Sequence, residues 1–160
     1  MRIICKKSNL VKGVSIVSKA VPSKTTMPIL ECILIDATTD VIKLTANDME
    51  LGIETTIDGI IDSRGIIALN AKIFSEIVRK LPDNDVVIET ESDNQAIITC
   101  EKAKFNIAAQ SGDYFSYLPA IEREDCNPCC GSVDGEPASD ASAGDDIYLL
   151  CLCSTGKKCF

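Results

Sequence analysis

Two segments with helical hydrophobic spacing, each embedded among short strand-like segments, constrain the fold of this 160-residue chain most strongly. In the first, apolar residues recur at helical intervals from Leu10 to Val21, and Pro22 ends the pattern. In the second, Asn70 is a suitable cap for a helix that continues to Leu81. The predicted order is strand, helix, four strands, helix, three strands. That order predicts an α+β fold in which two helices pack on one side of an antiparallel sheet.

The predicted strands are short. They cover residues 2–7, 29–37, 41–45, 49–57, 65–69, 86–90, 96–100 and 105–109. Segment 29–37 is apolar on both faces, which predicts a strand that is buried on both sides or lies at an interface. Ser8 is the expected N-cap of the first helix. Gly13 destabilises that helix by about 1 kcal/mol relative to Ala, so the helix must depend on packing.

Composition excludes several function classes. The chain has no His, so Ser-His-Asp and Cys-His catalytic arrangements cannot form within it. It has neither GxxxxGK[ST] nor GxGxxG, the usual nucleotide-binding loops. No apolar segment has the length of a membrane span, and the apolar start is too short for a secretory signal. We therefore expect a non-catalytic protein without a cofactor, located in the cytoplasm.

The character of the chain changes near Asp125. Before that point, Cys5, Cys32 and Cys100 lie in strand patterns and are expected to be core residues. We predict a folded domain at residues 1–124 and a Cys-rich segment at 125–160 that is disordered or out of frame. That segment is rich in Gly, Ser, Asp and Ala and holds the six remaining cysteines: Cys126, Cys129, Cys130, Cys151, Cys153 and Cys159.

Three interpretations of residues 125–160 are open. Cys126 and Cys129 have CxxC spacing, and Cys151 with Cys153 could complete a four-thiolate metal site, although the second pair is CxC. A disulfide framework would be unusual in a cytosolic protein. The third interpretation is out-of-frame translation, because Cys codons shifted by one base encode residues such as Leu, Met, Val or Ala. We favour this third hypothesis, which the nucleotide sequence around codon 125 tests.

Basic residues cluster on the predicted outward faces of both helices. With a net charge of −8, the position of the cations matters more than their total. A solvated face would explain either helix alone, but two such faces favour contact with the phosphates of duplex DNA. Neither base-edge readout nor an aromatic stacking platform is indicated. Six of the 16 Lys and Arg residues lie on these faces or in the loop after the first helix: Lys12, Lys19, Lys24, Lys72, Arg79 and Lys80.

Several short motifs occur in a characteristic order. They are LVKGVSIVSK at 10–19, MPIL at 27–30, LTAND at 44–48, LGIE at 51–54, IVRKLP at 77–82 and QSGDYFSYLP at 110–119. Through these motifs residues 1–124 resemble the N-terminal domain of the bacterial replicative sliding clamp, the beta subunit of DNA polymerase III. The resemblance implies a processivity factor, in which two subunits close a ring around duplex DNA and tether the polymerase. It also implies a clamp loader as partner and a place near the bacterial nucleoid.

The resemblance also assigns residues. Lys24 and Lys72 match DNA-facing positions of the family, whereas the other four basic residues are placed by helix face alone. Strand 103–109, with Lys104, Phe105 and Ile107, matches an edge strand that pairs with the partner subunit's third domain. An open strand edge of this kind favours a partner strand.

The family's second and third domains, which hold polymerases, have no counterpart in these 160 residues. We therefore expect a truncated or frameshifted clamp subunit that cannot close a ring alone. Two alternatives are a metal-binding or redox protein that uses the Cys-rich segment, and a fragment that joins and caps a full-length clamp.

Overall fold

The structure is a computed structural model that describes residues 1–91, 95–112, 115 and 147–151. The two α-helices of these residues are α1 (Lys7–Val17) and α2 (Ala71–Lys80), and short 3-10 helices cover Ser18–Ala20 and Pro28–Glu31. The strands are β1 Arg2–Lys6, β2 Cys32–Asp36, β3 Ile42–Asn47, β4 Leu51–Ile57, β5 Gly59–Ser63, β6 Ile66–Asn70, β7 Asp85–Glu91, β8 Gln95–Cys100, β9 Ala103–Ser111 and β10 Ile147–Cys151.

All described strands pair antiparallel in the order β10-β4-β3-β2-β6-β9-β8-β7-β1-β5. β9 joins the two halves of this sheet. Its residues 103–108 pair with β8, whereas residues 109–111 pair with β6. The first strand, β1, lies between β5 and β7. The α+β class and the packing of two helices on an antiparallel sheet are confirmed.

The strand that is apolar on both faces, β2, is buried on both faces. Ile33 and Ile35 belong to the main core cluster, which also contains the buried residues of both helices. Cys32 and Leu34 belong to a second cluster, with Phe115 and neighbouring residues. Because both sides of β2 are covered, a polar substitution on either side would bury an unpaired group. The prediction of two-sided burial is confirmed.

Helix α1 lies unusually close to the sheet at Gly13. Its stripe of Leu10, Val14 and Val17 is buried. A Cβ at position 13 would lie only 2.7 Å from Ile57 Cγ2 and 2.8 Å from a Leu44 methyl carbon. Glycine is therefore required by this close approach, and the packing that it permits offsets its low helix propensity.

Helix α2 begins as predicted. The Asn70 side chain accepts a hydrogen bond from the Ile73 N–H at 3.2 Å, which satisfies one of the unpaired donors of the first turn. Phe74 and Val78 are buried. Leu81 is the C-cap residue, so the predicted end of the helix is also close to the observed one.

Three local predictions were wrong. Ser8 does not cap α1, because the helix begins at Lys7 and its N–H donates to the Asn84 carbonyl oxygen at 3.1 Å instead of to a side chain. Residues 28–31 form a 3-10 helix that Pro28 begins, so β2 starts only at Cys32. Five strands, not four, separate the described helices. The missed strand, β5, pairs only with β1 and is largely exposed, so it lacks the apolar alternation that would have revealed it.

The three cysteines before residue 125 lie in the core, as predicted. Cys5, Cys32 and Cys100 are each at most 3% exposed. Burial raises the pKa of Cys5 to about 12 and also raises the pKa values of Cys32 and Cys100. These thiols are therefore neutral and inert.

The predicted boundary at residue 124, and most of segment 125–160, lie outside the described residues. Of the thiols considered for a metal site, only Cys151 lies within them, at the end of β10, whereas Cys126, Cys129 and Cys153 do not.

Candidate functional site

The two helices lie side by side above the sheet. The Ser18 hydroxyl, just after α1, donates to the Val14 carbonyl oxygen at 2.6 Å and lies 3.2 Å from the Ser75 hydroxyl of α2. The buried faces of both helices contribute to one core cluster. Their opposite faces are therefore exposed next to each other.

All six predicted DNA-facing residues are exposed. Lys72 lies in the first turn of α2, where a cation opposes the helix dipole. Arg79 and Lys80 lie in its last turn, where a cation is favourable. Helix stability therefore accounts for Arg79 and Lys80 but not for Lys72.

Among the described residues, three of the six cations in the strands and their turns form ion pairs, whereas Lys6, Lys102 and Lys104 form none. Arg2 pairs with Glu89 at 2.6 Å and also with Asp62. The hydrogen bond to Glu89 is the main cause that raises the pKa of Arg2. The two other ion pairs in the described part of the chain join Lys43 to Glu54 at 3.3 Å and Arg64 to Asp40 at 2.7 Å.

None of the six helix-side cations takes part in those described ion pairs. The positive charge of Arg2, Lys43 and Arg64 is thus offset by carboxylates of the same chain. The charge of the helix side remains available to an external anion.

The predicted edge strand has one open side. Residues 103–108 of β9 pair with β8, and no other described strand pairs with these six residues. Lys104 is exposed, Phe105 is half-buried and Ile107 is 5% exposed within the main core cluster. Ile107 can therefore contribute its backbone to an interface more readily than its side chain.

Sequence reasoning missed a second edge at β4. One side of β4 pairs with β3, and the other pairs with β10. Leu51 to Ile57 carries an ordinary strand pattern, so its position in the sheet order could not be derived from periodicity.

The described residues contain no group of three or more His, Cys, Asp or Glu side chains that could hold a metal ion. None of their helices has both the length and the hydropathy needed to cross a bilayer.

Residues 1–119 match the family model of the DNA polymerase III beta subunit, N-terminal domain. The chain belongs to this family. Among its relatives, the beta sliding clamp of Bacillus subtilis is 40% identical over 130 residues, which are 76% of this chain and 34% of the relative. The beta sliding clamp of Synechocystis is 37% identical over 130 residues, 76% of this chain and 33% of the relative.

Solved beta-subunit structures are also similar. The sliding clamp structure from Bacillus subtilis has a TM-score of 0.75 at 39% identity, and covers 77% of this chain and 34% of that one. A structure from Eubacterium rectale, assigned to the DNA polymerase III beta subunit, has a TM-score of 0.77 at 70% identity and covers 78% and 34%. This chain thus spans about a third of the length of the sliding clamps that it matches. The predicted family and fold are confirmed.

Proposed function

We propose that residues 1–119 form one domain of a ring that encircles duplex DNA, with α1 and α2 facing the phosphates, and that the ring tethers the replicative polymerase. The observation that carries this proposal is the set of six exposed helix-side cations, none of which takes part in a described ion pair. Because the chain belongs to the beta-subunit family, we infer that duplex DNA is the partner of this helix surface. The domain acts by position and charge, without catalysis, in the bacterial cytoplasm.

The expected contact is electrostatic and independent of base sequence. Each phosphate that a Lys or Arg neutralises releases condensed counterions, so the logarithm of affinity falls with the logarithm of salt concentration by about 0.9 per contact. Exposed, flexible lysines suit a surface along which DNA slides, because they fix neither register nor sequence.

Ring closure requires further clamp domains. A polypeptide with a single domain of this kind obtains them only from other chains, and alone it does not close a ring. We propose that the open side of β9, with Lys104, Phe105 and the backbone of Ile107, receives a strand of a neighbouring clamp domain. Polymerase and clamp loader then bind the assembled ring.

We also propose that residues 125–160 are an out-of-frame continuation of a clamp gene. The sliding clamps of Synechocystis and Bacillus subtilis align with 76% of this chain and with only 33–34% of their own length, which supports a break in the similarity. A one-base shift near codon 125 should restore clamp-like sequence in the gene. If neither alternative frame resembles a clamp, the hypothesis is wrong.

Binding of the whole chain to labelled duplex DNA tests the helical surface. The variant is Lys24→Ala/Lys72→Ala/Arg79→Ala, and the matched control is Arg2→Ala/Lys43→Ala/Arg64→Ala, which removes the same number of charges from ion-paired positions. We expect the helix variant to lose most of its affinity in fluorescence anisotropy at low salt. Its salt slope should fall by about 0.9 for each phosphate that the variant no longer neutralises.

The control should bind nearly as well as the unaltered chain, with circular dichroism melts showing that both variants are folded. Equal losses of affinity in both variants would mean that net charge, not the helix face, determines binding. That outcome would overturn the assignment of the DNA-facing surface.

A further inference from the structure

The two ends of the strand order are protected in different ways. At one end, β5 contains exposed polar residues, and its register with β1 shifts between Arg2 and Ile3. Irregular register and charge are common protections of an edge strand. At the other end, β10 is the last strand, and β4 lies next to it. β4 pairs with β3 in unbroken register from Gly52 to Ile57 and contains no proline. A regular seven-residue strand of this kind readily accepts another strand.

The outer side of β4 is occupied by a segment of the same chain. Strand β10 pairs antiparallel with it over five residues, from Ile147 opposite Thr55 to Cys151 opposite Leu51. The register is continuous, so the backbone groups of most of β4 have partners on both sides. Thr56 and Ile57 extend beyond β10.

The sequence explains why residues 147–151 can form a strand beside β4. Residues 147–151 read IYLLC, an apolar run in a region otherwise rich in Gly, Ser, Asp and Ala. Residues 116–146 connect Phe115 to Ile147, and a connection of that length can span on the order of 100 Å when extended. Tethering also gives the segment an effective concentration of about a millimolar, which favours it over a strand from another molecule.

We propose that the β4 edge is an acceptor for an antiparallel strand and that segment 147–151 occupies it. A strand from a second polypeptide must then displace this segment, whereas the open side of β9 stays accessible. The molecule therefore has one open strand edge, at β9, and one edge that its own segment covers, at β4. This inference concerns the polypeptide itself, whatever the reading frame that gave residues 125–160, and it does not depend on DNA binding. It can therefore fail or succeed separately from the proposed function.

Hydrogen exchange of the whole chain, followed by mass spectrometry, tests the pairing. We expect amides of residues 147–151 to exchange at least about tenfold more slowly than those of an unstructured peptide of the same sequence.

Proline variants test the pairing directly. Successive N–H groups of a strand point to opposite sides, so the N–H of one of two adjacent residues must face β4. Proline at that position removes a ladder hydrogen bond. We therefore make two single variants, Tyr148→Pro and Leu149→Pro, one of which must disrupt the pairing with β4. Gly144→Pro, which lies before the strand, is the matched control.

The disruptive variant should lose protection in both β10 and β4, while β7 and β8 stay protected. With its acceptor edge open and its β9 edge unchanged, it should also associate head-to-tail, seen as a concentration-dependent increase of mass in sedimentation. Gly144→Pro should remain like the unaltered chain. Unprotected amides at 147–151 in the unaltered chain, or proline variants that match it in both exchange and mass, would overturn the proposal.

Discussion

The helix side and the strand side of this domain both carry exposed cations, but the two sides differ in how many of these form ion pairs: among the described residues, three of six on the strand side and none of six on the helix side. Arg2, Lys43 and Arg64 of the strand side form ion pairs with carboxylates of the same chain. The helix side has Glu76 as the acidic residue of α2, and no described ion pair engages its six cations. An exposed cation therefore indicates a binding surface only when no carboxylate of the same chain already pairs with it. Exposed ion pairs contribute little to stability.

The largest expected effect tests whether the helix side keeps its position. Gly13→Val places a branched side chain where even a Cβ would lie 2.7 Å from Ile57. Overpacking of this kind should lower the free energy of unfolding by roughly 2–3 kcal/mol. Urea unfolding measures it, and Ser15→Val, on the exposed face of the same helix, should cost no more than about 0.5 kcal/mol. Equal costs for the two variants would mean that α1 does not approach the sheet at residue 13.

A smaller effect concerns how α2 is held at its start. Asn70→Ala removes the acceptor of the Ile73 N–H and should lower the free energy of unfolding by about 1 kcal/mol. Ser8→Ala is the matched control, because Ser8 makes no capping hydrogen bond to α1. Thermal melts of both variants measure the difference. A loss of stability at Ser8 as large as that at Asn70 would contradict the capping geometry.

The smallest effect sharpens the charge comparison directly. Glu76→Gln removes an anion from the exposed face of α2, and we expect duplex DNA binding to strengthen by roughly twofold to threefold at low salt. Glu54→Gln removes the same charge from the strand side, where Glu54 pairs with Lys43. It should leave DNA affinity nearly unchanged in the same anisotropy titration. A comparable increase for Glu54→Gln would show that the effect follows total charge.

The sequence predicts the helices, the two-sided burial of β2 and the buried cysteines because each leaves a local pattern. Apolar periodicity marks the buried faces, and Asn70 marks a helix start through its own side chain. The N-cap of α1 could not be predicted, because its hydrogen-bond acceptor is the carbonyl of Asn84, which is distant in sequence. β5 was not predicted, because a largely exposed strand at the end of the sheet lacks apolar alternation.

In the candidate site, too, some features could be predicted from local sequence and others could not. The exposure of Lys12, Lys19 and Lys72 follows from helix periodicity, and the structure agrees with it. The absence of ion pairs on the helix side, among the described residues, depends on which carboxylates the fold brings close. Likewise, the position of β4 beside β10 depends on sheet order, which periodicity does not encode.

The position of β1 has a consequence for biosynthesis. Arg2 lies opposite Glu89, and the terminal ammonium group of Met1 donates to the Thr90 hydroxyl at 2.7 Å. Strand β1 is therefore synthesised before both of its partner strands, β5 and β7, and such distant pairings form slowly. Until then the apolar side chains of the nascent chain remain uncovered, which makes this interval the time of greatest need for a chaperone.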